Sequence, residues 1–546
     1  MTPDQMVGGI PIFYVEFTYN SIVYRIAQNA MDTANDNGRV YYTDGLLNFD
    51  YSETVNIGDI EANSVGCQLA IPGVDVITLA HRGLGMDGIQ CEFGFYIWRN
   101  GEILQTYENR GVLFRGQIQN PQFGDPDEPN NFVSFSIEAQ PYTPNQLLLD
   151  VGIIDQRFPD RDIDTADGKP YPIVLGQPGH VLANGELRQI YATPAYCTQK
   201  YNNNDAHFMI CGHDLTYNVG GTVTIIDSNG QSAVKTPVRD VDTYGNVYHY
   251  VRIFPSDNVA MPGYGGSGDS SEWWIYWNTP ALPNRYGTTL GATNEALTRG
   301  GDVLRWAMER TGQRIDMGAF ANVAALLNRY KFSGYMNEAT IYAWEWLQGN
   351  ILPLLPIGLR IGPNGLRPVL DQLSMLTSVQ PQHRWFIGDD YEIVQTTAVT
   401  QTTDLGDIQN DITIKYAYNG YGDDYAGVSR CRHIRQTQNE LVTDVAKISV
   451  NRYGVKQAAL DTKYVYDGAT ADLIVQTMVR TNGLPRYEFT VVANIQYGYV
   501  QIGDIISVTA PRLGLDAHNV MAVGKRWANT VWEFTLQYDI NPNITQ

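Results

Sequence analysis

The chain is poor in cysteine and has no long hydrophobic run. Its 546 residues contain five scattered cysteines, an odd number that excludes a disulfide framework. They are Cys67, Cys91, Cys197, Cys211 and Cys431. The most apolar stretch, ILPLLPIGL at 351–359, contains two prolines and is about half as long as a membrane helix. No Lys or Arg precedes the first apolar run, so no signal peptide is predicted and we expect folding in the cytosol.

Positive charge is also scarce. The 37 Lys and Arg residues are outnumbered by 58 Asp and Glu residues, which gives a net charge of −21. Nonspecific nucleic-acid binding depends on cations that neutralise phosphates, so this balance argues against it and against anionic membranes. A negative surface does, however, let DNA pass without holding it.

What the chain has in abundance is Tyr, at 35 residues, and Gly, at 52. Both suit strands and tight turns, and the length predicts roughly three or four domains. We therefore expect a mainly β, multidomain protein with a helical, α+β middle section. The predicted domains are a β domain at 1–150, a β-rich second domain at 151–295, an α+β helical section at 296–385 and a β domain with one helix at 386–546. The first and last are similar in β content and are candidates for two copies of one domain type.

Local patterns place several elements. Alternation in SFSIEAQ (134–140) predicts a strand, and Arg99-Asn100-Gly101 predicts a hairpin turn. Asp302 is the expected cap of a helix that Gly312 ends, and further helices are expected at 320–330, 337–352 and 470–483. Pro353 is expected to break the third of these helices.

Two clusters have the composition of metal ligands. Cys197, His207, Cys211 and His213 combine residue types that suit zinc, but their spacing matches no common zinc site. His207, Cys211 and His213 are expected to share one face of a strand, and an ordinary strand without metal is favoured. Asp160, Asp162, Asp164 and Asp167 form an acidic loop that is either solvated or holds a weakly bound cation. An EF-hand loop would have Gly at 165 and Glu at 171, where this chain has Thr and Tyr.

Catalytic motifs are weak. Gly263, Gly265 and Gly268 match a dinucleotide pattern, but they follow no predicted strand and open no predicted helix, so a polar loop is favoured. The sequence has no P-loop, H-E-x-x-H or G-x-S-x-G motif. No catalytic, cofactor-binding or metal residue is predicted, and we expect a protein that is not an enzyme.

Aromatic clusters leave one alternative open. WWIYW (273–277) and YAWEW (342–346) suit a core or an interface, and they also suit stacking on sugars. Together with the many carboxylates, they support a second hypothesis, an extracellular carbohydrate-binding or polysaccharide-degrading protein.

The segment VQIGDIISVTAPRLGL (500–515), followed by HNVMAVGKRW and WEFTLQY, resembles the C-terminal part of tail-tip and baseplate hub proteins of tailed bacteriophages. In that family a Gly-Asp turn launches a strand, as Gly503-Asp504 is expected to do here. KPYPIVLGQPG (169–179) and GGDVLRWAMERTGQRID (300–316) resemble other parts of such hubs.

This resemblance implies a virion protein, made in the host cytoplasm, that forms a homotrimeric ring capping the tail tube. Each subunit would carry two tube-like β domains, here the N- and C-terminal regions, so that a trimer matches a hexameric tube. The implied partners are the tail tube or distal tail protein, the tape measure protein, and tip or fibre proteins. DNA would pass through the ring without specific binding. The host, the tail type and the exact partners stay open.

Overall fold

A computed structural model describes most of the chain. The described residues are 8–61, 63–70, 85–123, 132–139, 145–179, 189–216, 221–264, 272–278, 282–286, 295–338, 340–374, 380–389, 391–528 and 530–539. They form five β-sheets and a helical middle region, which confirms the predicted mainly β, multidomain fold class.

The first strands follow the expected pattern, including the hairpin that turns at Asn100-Gly101. They are β1 (Ile10–Tyr19), β2 (Ile22–Ala27), β3 (Met31–Asn35), β4 (Gly38–Asp44), β5 (Leu46–Thr54), β6 (Ile60–Glu61), β7 (Ser64–Ala70), β8 (Gln90–Arg99), β9 (Glu102–Ile103), β10 (Gly111–Phe123) and β11 (Phe132–Glu138). Alternate side chains of β11, namely Val133, Phe135 and Ile137, are buried, as period-two alternation predicts.

A second set of strands covers the centre of the chain. They are β12 (Ile173–Leu175), β13 (Thr193–Gln199), β14 (Ala206–Cys211), β15 (Val223–Asp227), β16 (Ser232–Lys235), β17 (Val238–Val241), β18 (Val247–Ile253), β19 (Trp273–Trp277), β20 (Gly334–Met336), β21 (Ile357–Gly362) and β22 (Gly365–Leu370). Seven of them form one sheet in the order β16-β15-β19-β13-β14-β18-β17.

The remaining strands close the chain. They are β23 (His383–Phe386), β24 (Ile393–Gln395), β25 (Thr400–Gln401), β26 (Asp411–Asn419), β27 (Asp424–Arg432), β28 (Leu441–Val442), β29 (Gln457–Asp461), β30 (Arg486–Ala493), β31 (Ile505–Ala510), β32 (Leu515–Ala528) and β33 (Val531–Asp539). Strands β26 to β29 form a separate four-stranded sheet between β25 and β30.

Five α-helices lie in the described part of the chain: α1 (Gly300–Arg310), α2 (Met317–Leu327), α3 (Ala343–Trp346), α4 (Asp444–Tyr453) and α5 (Gly468–Asn482). The region 386–546 therefore carries two helices instead of the expected one. None of these helices has the length and apolar character needed to cross a bilayer.

Helix α1 begins before Asp302, with Arg299 as its N-cap, so the expected cap is wrong. Asp302 instead accepts a hydrogen bond from the Asn284 side chain at 2.8 Å.

The helix expected over 337–352 is much shorter than predicted. Ala343 N–H donates to Gln146 O, and Tyr342 bridges to Leu147, so pairing with the 145–147 segment keeps the preceding residues extended. After α3 the chain continues as a π-turn at Leu347–Ile351 and a 3-10 turn at Leu352–Leu354. Pro353 lies inside that 3-10 turn and does not end the helix. Other 3-10 turns are Tyr107–Asn109, Pro255–Asp257, Gln372–Ser374, Ile495–Tyr499 and Pro511–Leu513.

Two groups of strands from opposite ends of the chain have the same topology. In the N-terminal set, β5 pairs with β7, β7 with β11, β11 with β10 and β10 with β8, all antiparallel. In the C-terminal set, β24 and β25 pair with β30, β30 with β33, β33 with β32 and β32 with β31, again all antiparallel. The order along the chain also corresponds, because β5, β7, β8, β10 and β11 match β24/β25, β30, β31, β32 and β33. The outer neighbours differ, since β1 is antiparallel to β8 and β23 is parallel to β31.

The turn that launches β31 is fixed by its glycine. Gly503 has φ +93°, which L side chains rarely adopt, and a Cβ there would lie 2.6 Å from Val369 Cγ1. Asp504 accepts a hydrogen bond from Gln501 N–H at 2.9 Å, so its carboxylate caps the same turn. The turn thereby packs the C-terminal set against the β21–β22 hairpin.

Replacing Gly503 by Val should destabilise the protein by roughly 2–5 kcal/mol, because an unfavourable φ and a clash with Val369 add together. Gly514→Val is the matched control. Gly514 has φ +67° but nothing within 4 Å of its Cβ position. It should lose only about 1–2 kcal/mol. Calorimetric melting of both variants makes the comparison, and equal losses would contradict the proposed close packing at Gly503.

Candidate functional site

The N- and C-terminal strand sets are joined directly by strand pairing. At the end of β5, Ser52, Glu53 and Thr54 pair antiparallel with Arg526, Lys525 and Gly524 of β32. The pairing makes one continuous sheet with the strand order β10-β11-β7-β5-β32-β33-β30-β24/β25. We call this the joined sheet.

A buried charge cluster lies at this junction. Arg360 of β21 reaches Glu53 with Nη1 2.8 Å from Oε2, and both side chains are at most 5% exposed. Lys525 Nζ donates to the carbonyl oxygens of Gly498 at 2.6 Å and Val500 at 3.0 Å. Its ammonium also lies 4.4 Å from the centre of the Trp532 ring. Strands β5, β21 and β32, which are far apart in the sequence, therefore meet through buried charged side chains.

Burial and neighbouring charges shift these groups in opposite directions. Burial opposes ionisation of Glu53, but the Arg360 guanidinium and the Lys525 ammonium hold the pKa of its carboxyl below the ordinary value. Burial lowers the pKa of Lys525 to about 8, although Glu53 acts against that shift. The cluster is thus stable only while its members stay together.

One hydrophobic core continues across the junction. It contains buried side chains from both strand sets, among them Phe93, Phe135, Phe489 and Phe534. Rings also meet across the boundary, because Tyr51 lies 6.1 Å from Trp532. The two sets are therefore packed as one unit and are not separate domains joined by a linker.

The opposite side of the joined sheet is polar. We call it the shared face. Its cross-strand neighbours belong to adjacent strands: Gln122 with Ser134, Ser134 with Gln68, Gln68 with Asn48, Thr54 with Gly524, Gly524 with Thr535, and Thr535 with Thr490. Two shallow depressions of about 500 and 470 Å³ lie along this face, the first in the N-terminal set and the second across the junction of β5 with the C-terminal set.

The cationic side chains of the joined strands are all engaged. Arg115 binds Glu92 of β8, Arg526 binds Glu533, and Arg486 is buried against Asp371. Lys525 belongs to the buried cluster. The shared face consequently presents hydroxyl, amide and a few carboxylate groups, and its positive charges are neutralised within the chain.

Comparison with known proteins gives a likeness in structure alone. No protein-family model and no curated protein matches the chain. The tail protein from Neisseria meningitidis MC58 aligns over 97% of both chains, with 10% identity and a TM-score of 0.38. The 43 kDa tail protein of prophage MuSo2 from Shewanella oneidensis aligns over 98% of this chain and 100% of its own, with 8% identity and a TM-score of 0.36.

A chain from the virion of a native gene transfer agent particle aligns over 70% of this chain and 87% of its own. Its identity is 9% and its TM-score is 0.40. Phage tail proteins are thus among the solved structures that this chain resembles.

The candidate zinc residues lie on strands and are used there. His213 Nε2 accepts from Val174 N–H at 3.0 Å, so Nδ1 is the protonated nitrogen and donates to Asp214 O at 2.9 Å. A bulge after Met209 turns Cys211 into the same core as Cys197, whereas His207 packs on Tyr250 with ring centres 4.4 Å apart. The expectation that His207 and Cys211 share a face is therefore wrong.

Burial lowers the pKa of His213 to about 4 and raises that of Cys211 to about 12, which leaves both neutral near pH 7. Over the residues that the structure describes, no group of three or more His, Cys, Asp or Glu side chains is arranged to hold a metal ion.

Cationic side chains pair with two of the four aspartates of the acidic loop. Asp167 accepts from Arg161 Nε at 2.5 Å, and Asp162 lies 3.1 Å from Lys200 Nζ. Asp160 and Asp164 are exposed.

Residues 265–271 lie outside the described residues, so the glycine pattern that starts at Gly263 falls mostly outside them as well.

The aromatic clusters are partly buried in the core. Trp273, Trp277 and Trp346 are at most 1% exposed, whereas Trp274 and Trp344 are half-buried and Tyr342 is 43% exposed. The three buried rings serve packing and are not open to a sugar.

Folding also places His383 Nε2 3.0 Å from Asp504 Oδ2, a pairing that spacing along the chain does not show. Tyr499 packs edge-on against the His383 ring at 5.1 Å, so this pair is part of the turn's packing.

The buried cluster was missed at the sequence level. Alternation along β5 was the available signal, because Tyr51 and Glu53 point the same way and Tyr51 is plainly a core residue. A carboxylate at a core position requires a buried cation, but its identity depends on two segments more than 300 residues away.

Replacing Glu53 by Gln should destabilise the protein by about 3–5 kcal/mol, because Arg360 and Lys525 would remain buried without a counter-charge. Glu533→Gln removes the partner of Arg526, which is 60% exposed, and should cost less than about 1 kcal/mol. Thermal unfolding of the two variants measures the difference. A loss for Glu53→Gln as small as that of the control would show that the cluster is dispensable.

The Lys525 ammonium also predicts a pH dependence. Between pH 8 and pH 10 the unfolded chain keeps this proton and the folded chain releases it, so stability should rise with pH by at most roughly 1.4 kcal/mol per unit. Lys525→Met lacks the group, while its tyrosines titrate as in the parent. Melting curves of both proteins over this range should therefore diverge with rising pH. Parallel curves would contradict a depressed Lys525 pKa.

Proposed function

We propose that the chain is the structural hub of a phage tail tip or baseplate. Three copies form a ring that caps the tail tube, and the ring leaves a central channel for DNA. The protein resides in the virion after synthesis in the host cytoplasm, and its role is assembly, not catalysis.

The observation that carries this proposal is the joined sheet. One chain holds two strand sets of the same topology side by side, so that three chains supply six sets. That number fits the sixfold symmetry of a hexameric tube, whereas a single-set protein would need six chains. The N- and C-terminal regions are then the two tube-like β domains.

The shared face supports its use as the channel lining. DNA is held by cations that neutralise its phosphates, and the cations of the joined strands already have partners within the chain. Hydroxyl and amide groups such as Thr490 and Gln68 leave a passing duplex hydrated. The seven-stranded sheet and the helical section lie outside this sheet and are available to the tail tube or distal tail protein, the tape measure protein, and tip or fibre proteins.

Location in the particle tests the proposal directly. Antibody-labelled virions seen by electron microscopy should carry the label at one end of the tail, and reconstruction there should show three copies around the axis. Label on the capsid or on free fibres, or absence of the chain from purified particles, would overturn the proposed role.

A further inference from the structure

The contact between β5 and β32 has an unused counterpart elsewhere in the same chain. In the N-terminal set β5 is the last strand of the order β10-β11-β7-β5, and in the C-terminal set β32 is the first of the order β32-β33-β30-β24/β25. The internal join thus connects the last strand of one set to the first strand of the next. At the two ends of the joined sheet, the same rule would connect β25, in the last position of the C-terminal set, to β10, the first strand of the N-terminal set.

Strand β32 holds the position in its set that β10 holds in the other, so the pairing of β32 with β5 shows where a neighbouring strand would pair with β10. The first half of β32 pairs with β31 as far as Met521, and β5 then takes the vacated side at Gly524–Arg526, after a bulge. The first half of β10 likewise pairs with β8 as far as Gln117, and a bulge follows between Gln119 and Gln122. Among the described strands, none pairs with Gln122 and Phe123 on that side.

The outer edge of β25 is open in the corresponding way. Each of β24 and β25 has β30 as its strand partner in the described part of the chain. Thr396 and Thr402 direct their N–H groups inward to the carbonyl oxygens of Thr490 and Arg486. Since N–H directions alternate along an antiparallel strand, those of Gln395 and Gln401 point outward.

The composition of this edge is that of a strand meant to pair. The eleven residues from 393 to 403, IVQTTAVTQTT, include no charge, no Pro and no Gly. Exposed edge strands usually carry Lys, Pro or a bulge that prevents pairing with other chains. The receiving segment at 119–123 is also uncharged, and its Pro121 lies within the bulge, where a missing N–H is tolerated.

We infer that the β25 edge around Gln401 pairs antiparallel with the Gln122–Phe123 part of β10 in a second copy of this chain. The contact is head-to-tail, so it repeats from copy to copy and continues the joined sheet and its shared face around a ring. The closure of that ring rests on the proposed function. The contact itself specifies the surface through which the copies meet.

A cross-linking experiment on the full-length chain tests the contact. The five native cysteines are all buried, so a Gln122→Cys and Thr400→Cys double variant, with both positions on the shared face, carries the accessible thiols. A short bis-maleimide reagent should convert the assembled variant into covalent dimers and closed trimers of 61.0 kDa chains on a denaturing gel. Each single variant and the parent chain should give none. Ser52→Cys with Arg526→Cys reports the internal join and should cross-link within one chain.

A second pair of variants separates the contact from folding. Gln401→Pro removes an outward N–H and keeps the backbone bonds to β30, although it also removes the 3.5 Å hydrogen bond from Tyr487 OH to the Gln401 side chain. It should abolish the cross-linked trimer and reduce the solution mass to one chain. Gln395→Pro removes an outward N–H on the same edge, at the part of the strand that corresponds to the unjoined start of β5. It should leave both readouts unchanged.

Each outcome decides something. Oligomers that form without cross-links, or that survive Gln401→Pro, would overturn this contact and leave the proposed ring standing. A chain that stays monomeric up to its solubility limit and gives no cross-link would also overturn the contact. Neither result bears on the tail location, which the labelled virions decide separately.

Discussion

Three residue pairs between β5 and β32 determine that the two strand sets form one continuous sheet. Without them the two strand sets would be separate domains at opposite ends of the sequence. With them, one sheet, one apolar core and one polar face continue across the boundary. Backbone pairing alone is permissive about its partner, and the Glu53, Arg360 and Lys525 cluster makes it selective. A wrong alignment of the strands would leave a buried charge uncompensated.

The same junction explains how the rest of the chain is arranged. Arg360 comes from the hairpin of the helical section, so that section is fastened to the sheet at the point where the two sets meet. Strands β26 to β29 with α4 and α5 interrupt the C-terminal set between β25 and β30. Their apolar side chains share a core with α1, α2 and the hairpin. The insertion therefore packs with the helical section, which leaves the β25 edge of the sheet open.

Much of this architecture was accessible from the sequence. Strand alternation, the Gly-containing turns and helix α5 follow local rules, and the β-rich ends with a helical middle follow from them. The errors have physical causes. Pairing of Tyr342 and Ala343 with the 145–147 segment overrode the helical pattern before α3, and a bulge after Met209 reversed the expected face of Cys211. The His383–Asp504 contact and the Glu53 cluster depend on tertiary approach, which neither spacing nor periodicity contains.

The distribution of charge is more informative than its total. A net charge of −21 alone is equally compatible with an enzyme, a binding module or a scaffold. On the shared face, Thr, Ser, Gln, Asn and Gly fill many cross-strand positions, and the cations of the joined strands are neutralised. The carboxylates Asp50, Glu138, Glu488 and Glu533 lie on the same face. For the proposed channel lining, free cations would hold a duplex, and the cations of the joined strands are paired within the chain. The proposed role as a channel thus depends on how the charges of this sheet are paired, and the net charge of the chain does not show that pairing.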